Sequence, residues 1–323
     1  MLPHDDCDHG VRIMRNQQSK SSTRTFERVN KIGLRSPYYE YRDTAMSNLA
    51  PFRPEWIKEL RVINDNDLEN PDVIYNNGHF MHQITFFIGP VNFYWEINGQ
   101  KFCQEMNTGD SNYITPFWPH SFASRDSSKE AIIIAVTFGG EVRRSQKELY
   151  SLGKRAEKFH FNSRNETQAY ATILENLLNN EITSPSILSK KGTKDLNMPV
   201  IQAILEGRST PEVKQLIDLA ASFEIDPAEV IIPKYNSDHE VIVKKRDELS
   251  AYLFPDKLNP AYKIYPAVRT PKMSGLKGFE IEVLPGQSGS KELVTNMHSY
   301  FYNFGENNLF FNWFDGEKKC SSI

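Results

Sequence analysis

One strand-rich segment of this sequence occurs twice. "HQITFFIGPVNFYWEING" (82–99) lines up with "HSYFYNFGENNLFFNWFDG" (298–316). His82 matches His298, Gly89 matches Gly305 and Asn92 matches Asn308. Phe93, Tyr94 and Trp95 face Leu309, Phe310 and Phe311, and Asn98-Gly99 faces Asp315-Gly316. Upstream, "YYEY" (38–41) resembles "YKIY" (262–265). Such a repeat means two copies of one supersecondary unit. The runs are aromatic and β-branched and are bounded by turn residues, which is the pattern of short strands.

Around the first copy, "SPYYEYRDTAMS", "WIKELRVIND", "QKFCQEM", "GDSNYITP" and "AIIIAVTFGG" complete about seven short strands at the spacing of a sandwich or small barrel. Asn98-Gly99 predicts a tight hairpin. Between the copies the period becomes helical. "NETQAYATILENLLNN" (165–180) has Asn165 as its N-cap, and residues 197–233 read as short helices. One of them is expected to start with Thr210 as N-cap and Pro211 at the first helical position, in a helix-turn-helix-like order.

The expected fold is therefore mainly β with a helical insert, in four parts. Residues 1–30 are a polar, poorly ordered N-terminal segment; 31–145 form the first barrel; 146–247 are helical; and 248–323 are a second, partial barrel. That second copy stops just after its hairpin, at "EKKCSSI". A barrel needs further strands to cover its edges, so the expectation is a truncated copy. The repeat also calls for a helical unit ahead of the first copy, and residues 1–30 are too short for one.

Bulk properties exclude several function classes. Of the 323 residues 39% are hydrophobic and the formal net charge is -3, so no basic footprint for nucleic acid is visible. No apolar run approaches the ~20 residues that span a bilayer, and the N-terminus has no apolar secretory core. Three scattered cysteines without CxxC spacing suit a reducing compartment. The expectation is a cytoplasmic protein with no nucleic-acid or membrane partner.

Three side chains stand out as metal ligands: His79 and Gln83 in "NNGHFMHQ", and His120 in "GDSNYITPFWPHSF". Gly109-Asp110 supplies a turn, and Pro116 and Pro119 fix the backbone ahead of His120. The pattern G-H-x-x-x-Q followed by G-D and P-H is close to the two-part cupin signature. Two imidazoles and one oxygen donor on one face leave open positions, the logic of an Fe(II) facial triad. Because Gln83 is neutral, an anionic chelating substrate would supply the charge that a carboxylate usually brings. His4, His9, His160 and His239 have no partners that assign them a role. His82 alternates away from Gln83. In the second copy Ser299 stands where Gln83 stands, so that copy is expected to be metal-free.

On these residues, with "YYEY" and "IIIAVTF", residues 33–140 resemble the phosphonate-processing non-heme iron cupins. That family comprises hydroxypropylphosphonate epoxidase, hydroxyethylphosphonate dioxygenase and methylphosphonate synthase. The dioxygenase takes its carboxylate from a Glu six residues before the second His; here that position is Ile114. Gln83 together with Ile114 is similar to the methylphosphonate synthase branch. The resemblance implies Fe(II)- and O2-dependent C–C cleavage of 2-hydroxyethylphosphonate to methylphosphonate. The alternatives are the dioxygenase outcome, hydroxymethylphosphonate and formate, or a non-enzymatic cupin regulator. It also implies substrate contacts from Tyr41, Asn76 and Thr137, with Arg35 as the guanidinium clamp and Lys31 and Arg42 as its rivals. Ile114 is the expected product-determining neighbour. Strand packing is the simple alternative for Tyr38 and Tyr39, and is preferred for Tyr39. The family's cross-subunit contacts suggest a homo-oligomer. They include a lysine from the N-terminal helical unit, which has no counterpart here.

Overall fold

The computed structural model describes residues 6–139, 147–148, 150–154, 165–192, 194–232, 240–248, 250–273, 275–286 and 293–322. The chain divides into two compact units, Met1–Arg144 with Ser237–Ile323, and Ser145–Asn236.

The first unit begins with a short helix α1 (Asn16–Ser21) and strands β1 (Arg24–Val29), β2 (Arg35–Arg42) and β3 (Phe52–Glu59). The repeat follows as β4 (His82–Ile88), β5 (Val91–Ile97) and β6 (Gln100–Met106), then β7 (Ser111–Ile114), β8 (His120–Ser124) and β9 (Ile132–Phe138). After the second unit come β10 (Val241–Lys244), β11 (Tyr252–Phe254), β12 (Tyr262–Pro266), β13 (Phe279–Val283), β14 (Phe311–Asp315) and β15 (Lys318–Ser322). A seven-stranded sheet has the order β1-β2-β3-β9-β4-β7-β10, and a three-stranded sheet the order β6-β5-β8. Gly89-Pro90 is the corner at which the chain leaves one sheet for the other. Gly89 has φ 85°, and a Cβ there would lie 1.8 Å from the Glu130 carbonyl oxygen, so only glycine fits.

Both sheets feed one core, which includes Tyr38, Ile57, Phe87, Phe93, Ile114, Phe122 and Ile133. The opposite face of the large sheet is also covered: Trp56, Ile84, Tyr113, Ile134 and Phe138 pack with Val268 from the second copy. This explains why "AIIIAV" is an unbroken apolar run: β9 is buried on both faces.

Gly109-Asp110 ties the second copy to the first. Asp110 is 3% exposed. Its carboxylate accepts from Lys245 Nζ at 2.6 Å, the Arg246 amide at 2.8 Å and the Asn107 amide at 2.8 Å. Gly109, at φ 88°, leaves room for Arg246, whose Cδ would stand 2.1 Å from a Cβ. Arg246 then forks onto Glu280 of β13 at 2.7 and 2.8 Å.

The second unit is helical: α2 (Glu166–Asn180), α3 (Pro185–Lys191), α4 (Met198–Leu205) and α5 (Val213–Phe223), around Leu174, Leu188, Leu196, Ile201 and Leu216. Asn165 caps α2 as expected, accepting from the Gln168 amide.

Several expectations change. The stretch expected to be poorly ordered contains α1 and β1, and β1 pairs with β2 along its length. The helical part does not extend to residue 247. Val241–Lys244 is β10, paired antiparallel with β7, and its alternating "VIVK" was too short to read as a strand. α5 starts at Val213 with a Glu212–Gln215 capping box, so Thr210-Pro211 lies just before it. In the repeat, β5–β6 turns at Asn98-Gly99, both at positive φ, but β14–β15 turns at Gly316-Glu317. Trp313 rather than Phe311 thus takes the place of Trp95, each three residues before its loop. His298 and its neighbours through residue 310 are not strand.

Asp110→Ala leaves Lys245 with only the Glu105 carbonyl and frees two amides. It is expected to destabilise this unit by about 2–3 kcal/mol. All four tryptophans lie in the first unit, so denaturation followed by tryptophan fluorescence reads the change there.

Candidate metal centre

The loops carrying the two histidines are bonded to each other. The Asn76 amide donates to the His120 carbonyl at 2.9 Å, and the His120 amide donates to Asn76 Oδ1 at 3.0 Å. The Phe117 amide donates to the His79 carbonyl at 2.8 Å. Gly78, at φ 72°, makes this approach feasible: a Cβ there would sit 2.4 Å from the Phe117 carbonyl carbon. The glycine of the G-H motif is therefore a contact requirement. The two imidazole rings end 5.0 Å apart between centroids, nearly perpendicular.

Backbone carbonyls set the tautomers. His79 Nδ1 donates to the Met81 carbonyl at 2.7 Å, and His120 Nδ1 donates to the Trp118 carbonyl at 2.9 Å. A neutral imidazole held this way presents a lone pair at Nε2. His120 is 3% exposed, and burial pushes its pKa down to about 4, so it is neutral near pH 7. Thr85 fixes the Gln83 amide: Gln83 Nε2 donates to Thr85 Oγ1 at 2.7 Å, which turns Oε1 toward His79. Gln83 Oε1 and His79 Nε2 are then 3.0 Å apart. Both are acceptors. Turning the amide over, or a second proton on the imidazole, would relieve the conflict; a cation between them relieves it as the groups stand. The residues fit a divalent metal held by His79 Nε2, His120 Nε2 and Gln83 Oε1. Among the described residues no group of three His, Cys, Asp or Glu offers an alternative.

The other expected residues divide into two groups. Ile114 and Thr137 are the cross-strand partners of Gln83, one on each side, and Ile114 is fully buried. Asn76 donates through Nδ2 to His120 Nε2 at 3.0 Å. Thr137 donates to the Arg53 carbonyl at 3.3 Å. His82 points to the opposite face, bonded to the Tyr113 hydroxyl at 2.7 Å and stacked on Phe138. Tyr41 packs edge-on against Phe26 and Tyr39, and burial pushes its hydroxyl above the usual range. Arg35 stands apart: its side chain is 67% exposed and its nearest acid is Glu27 at 3.9 Å. Lys31 reaches Glu69 at 3.6 Å, and Arg42 stacks 4.0 Å over Trp56. Tyr38 and Tyr39 are both core residues, and the Tyr38 hydroxyl is 2.9 Å from Ser121 Oγ.

Sequence reasoning missed Thr85, Arg28 and Glu59. Arg28 lines a cleft of about 600 Å³ with Arg24, Phe26, Glu27, Tyr39, Tyr41 and Glu55. Glu59 is 3% exposed, and neither carboxyl oxygen has a partner. Thr85 is marked by its place two residues beyond Gln83, on the same face of one strand; no sequence signal marks Arg28 or Glu59, because both depend on which strands become neighbours.

Gly78→Ala is expected to push the Phe117 loop off the His79 carbonyl and weaken Co(II) binding by at least about tenfold, the scale of supporting contacts around a metal. Titration followed by the Co(II) visible bands measures it. Unchanged affinity in a folded variant would contradict the close-approach argument.

No family model matches the chain. It is 37% identical over 313 residues to methylphosphonate synthase of Nitrosopumilus maritimus (strain SCM1), covering 96% of this chain and 66% of the relative. Its fold is similar to that of Streptomyces albus 2-hydroxyethylphosphonate dioxygenase, solved with 2-hydroxyethylphosphonate and Fe(II) bound. That match has a TM-score of 0.78 and 32% identity, over 90% of this chain and 63% of that one. PhpD, solved with cadmium, shares the fold at a TM-score of 0.64 and 18% identity, over 87% of this chain and 66% of that one. The chain spans about two thirds of the length of these relatives (66% and 63%). By sequence and by its mainly β, cupin-type fold, the chain belongs to the family of methylphosphonate synthase and 2-hydroxyethylphosphonate dioxygenase.

Proposed function

We propose that this protein cleaves the C–C bond of 2-hydroxyethylphosphonate with O2, at an Fe(II) held by His79, Gln83 and His120, giving methylphosphonate. The observation that carries the reading is the donor set: two imidazole lone pairs and an amide oxygen, with Ile114 beside the amide. The two positions at which this family places its third ligand are cross-strand neighbours, so a carboxylate at either would reach one point. Here both are uncharged. The protein adds no negative charge, and an anionic, chelating substrate would complete the metal's charge balance.

The chain's own groups have separable tasks. The Met81 and Trp118 carbonyls hold the imidazoles with Nε2 forward. Thr85 holds the Gln83 amide with its oxygen forward. Asn76 rests its Nδ2 on the His120 lone pair; once that lone pair is taken by a metal, the amide is free to donate to a phosphonate oxygen. Tyr41 and Thr137 are proposed as further hydroxyl contacts. Ile114 keeps the space beside Gln83 dry and uncharged. Fe(II) in this site supplies the redox chemistry that joins substrate and O2. The products, methylphosphonate and a one-carbon acid as carbonate, use both oxygen atoms and need no external reductant.

The finer organisation belongs to the same proposal: a metal-binding cupin, a helix-turn-helix-like helical unit and a second partial cupin that binds no metal, in a cytoplasmic homo-oligomer. Three free cysteines are consistent with that compartment. No described helix is long and apolar enough to cross a membrane.

Anaerobic loading with Fe(II), then 2-hydroxyethylphosphonate and O2, is expected to give a methylphosphonate signal in phosphorus NMR. Hydroxymethylphosphonate as the product would contradict the reading. Gln83→Ala is expected to lower turnover by at least about 100-fold, since it removes a ligand rather than a supporting contact; wild-type turnover would remove Gln83 from the ligand set. Ile114→Glu is expected to shift products toward hydroxymethylphosphonate. An unchanged product ratio with metal bound would clear Ile114 of that role.

A further inference from the structure

We infer that Asn112 keeps the Gln83 amide oxygen turned to the metal, by taking the proton of the Thr85 hydroxyl. This rests on the metal site proposed above and adds to it a positioning residue that bonds to none of the ligands.

Asn112 shares the face of the ligands. In the β4–β7 register Gln83 pairs with Ile114, and Thr85 pairs with Asn112. Antiparallel partners point to the same side. Ile114 belongs to the core fed by both sheets, whereas Tyr113 packs on the opposite face. Asn112, two residues before Ile114, therefore points inward beside Thr85. On the same row Ala135 flanks Thr85 and Val243 flanks Asn112, and both are packed in that core. Asn112 and Thr85 are 0% exposed, and neither Oδ1 nor Nδ2 of Asn112 has a hydrogen-bond partner. An amide left open at both ends among apolar neighbours is costly, so it calls for a task.

Thr85 supplies that task. Its hydroxyl has one proton and two lone pairs. The one hydrogen bond the structure gives it is accepted from Gln83 Nε2 at 2.7 Å. Two arrangements compete. With its proton given away, Thr85 can only accept: the Gln83 nitrogen stays on it, and Oε1 faces His79 Nε2 at 3.0 Å. With its proton unclaimed, Thr85 can donate to Gln83 Oε1. The amide then turns over, and its nitrogen donates to the His79 lone pair and closes it to a metal. One proton decides between them. Asn112 is the buried polar side chain opposite Thr85 with an oxygen open to take it. No direct bond joins the two, so one buried water bridges them, accepting from Thr85 and donating to Asn112 Oδ1.

The test is a double-mutant cycle on metal affinity. The full metal-free chain is titrated with Co(II) and followed by the visible bands; the stability of each metal-free variant is read by denaturation with tryptophan fluorescence. N112L removes the acceptor at similar volume. It is expected to weaken Co(II) binding by at least about tenfold, the scale of supporting contacts around a metal. The metal-free chain is expected to stay at least as stable as wild type, since two open polar atoms disappear. T85V removes the proton itself, so N112L added to T85V is expected to change affinity by less than about twofold. Should N112L fail to fold, N112V, whose branched side chain suits a strand, takes its place with the same expectations. Wild-type affinity in the variant overturns the assignment. So does an equal further loss on the T85V background, or a loss that tracks falling metal-free stability, which is packing alone. In each of these cases the metal site stands. A wild-type chain that binds no Co(II) overturns the metal site and the positioning role together.

Discussion

Two acceptors face each other across 3.0 Å in the wall of the first unit, Nε2 of His79 and Oε1 of Gln83. Neither orientation is accidental. A carbonyl takes the imidazole proton on one side, and Thr85 takes the amide nitrogen on the other. A folded chain that spends hydrogen bonds on aiming two lone pairs at one point is prepared for a cation there. The interlocked loops at Asn76–Gly78 and Phe117–His120 bring the third lone pair to the same place.

The rest of the site follows from the neutrality of those ligands. In the proposed site, with no carboxylate at Gln83 or at its strand partner Ile114, charge would come with the substrate. The surroundings offer an anion a donor: the Asn76 amide, which a metal on His120 would release. An ionisable residue at Ile114 would add charge beside the amide of Gln83, its cross-strand partner. A buried isoleucine adds none.

What could be read in the sequence was whatever local chemistry decides. Asn98-Gly99 turns a hairpin because both residues accept positive φ. Asn165 caps α2 because its side chain reaches the third amide. The G-H-x-x-x-Q and P-H motifs put their ligands within one site because each histidine carries its own loop anchors. What could not be read depended on strand order or on one unpaired residue. β10 is four residues long, and only its pairing with β7 makes it a strand. The bulge at Tyr38 lets Arg28 lie over the Tyr38 and Tyr39 rings, which no sequence pattern announces. In the second copy the hairpin closes one residue later, with Gly316-Glu317 as the loop, although Asp315-Gly316 is the stronger local turn signal.

The central claim is that one divalent ion is held by Nε2 of His79, Nε2 of His120 and Oε1 of Gln83. Anomalous diffraction from crystals of the chain grown anaerobically with Fe(II) tests it most directly. The account predicts a single iron peak in contact with those three atoms, with the Gln83 nitrogen still on Thr85 and the Asn76 amide moved off His120. A peak bound elsewhere, or an iron-soaked structure with the Gln83 nitrogen turned toward His79, would contradict it.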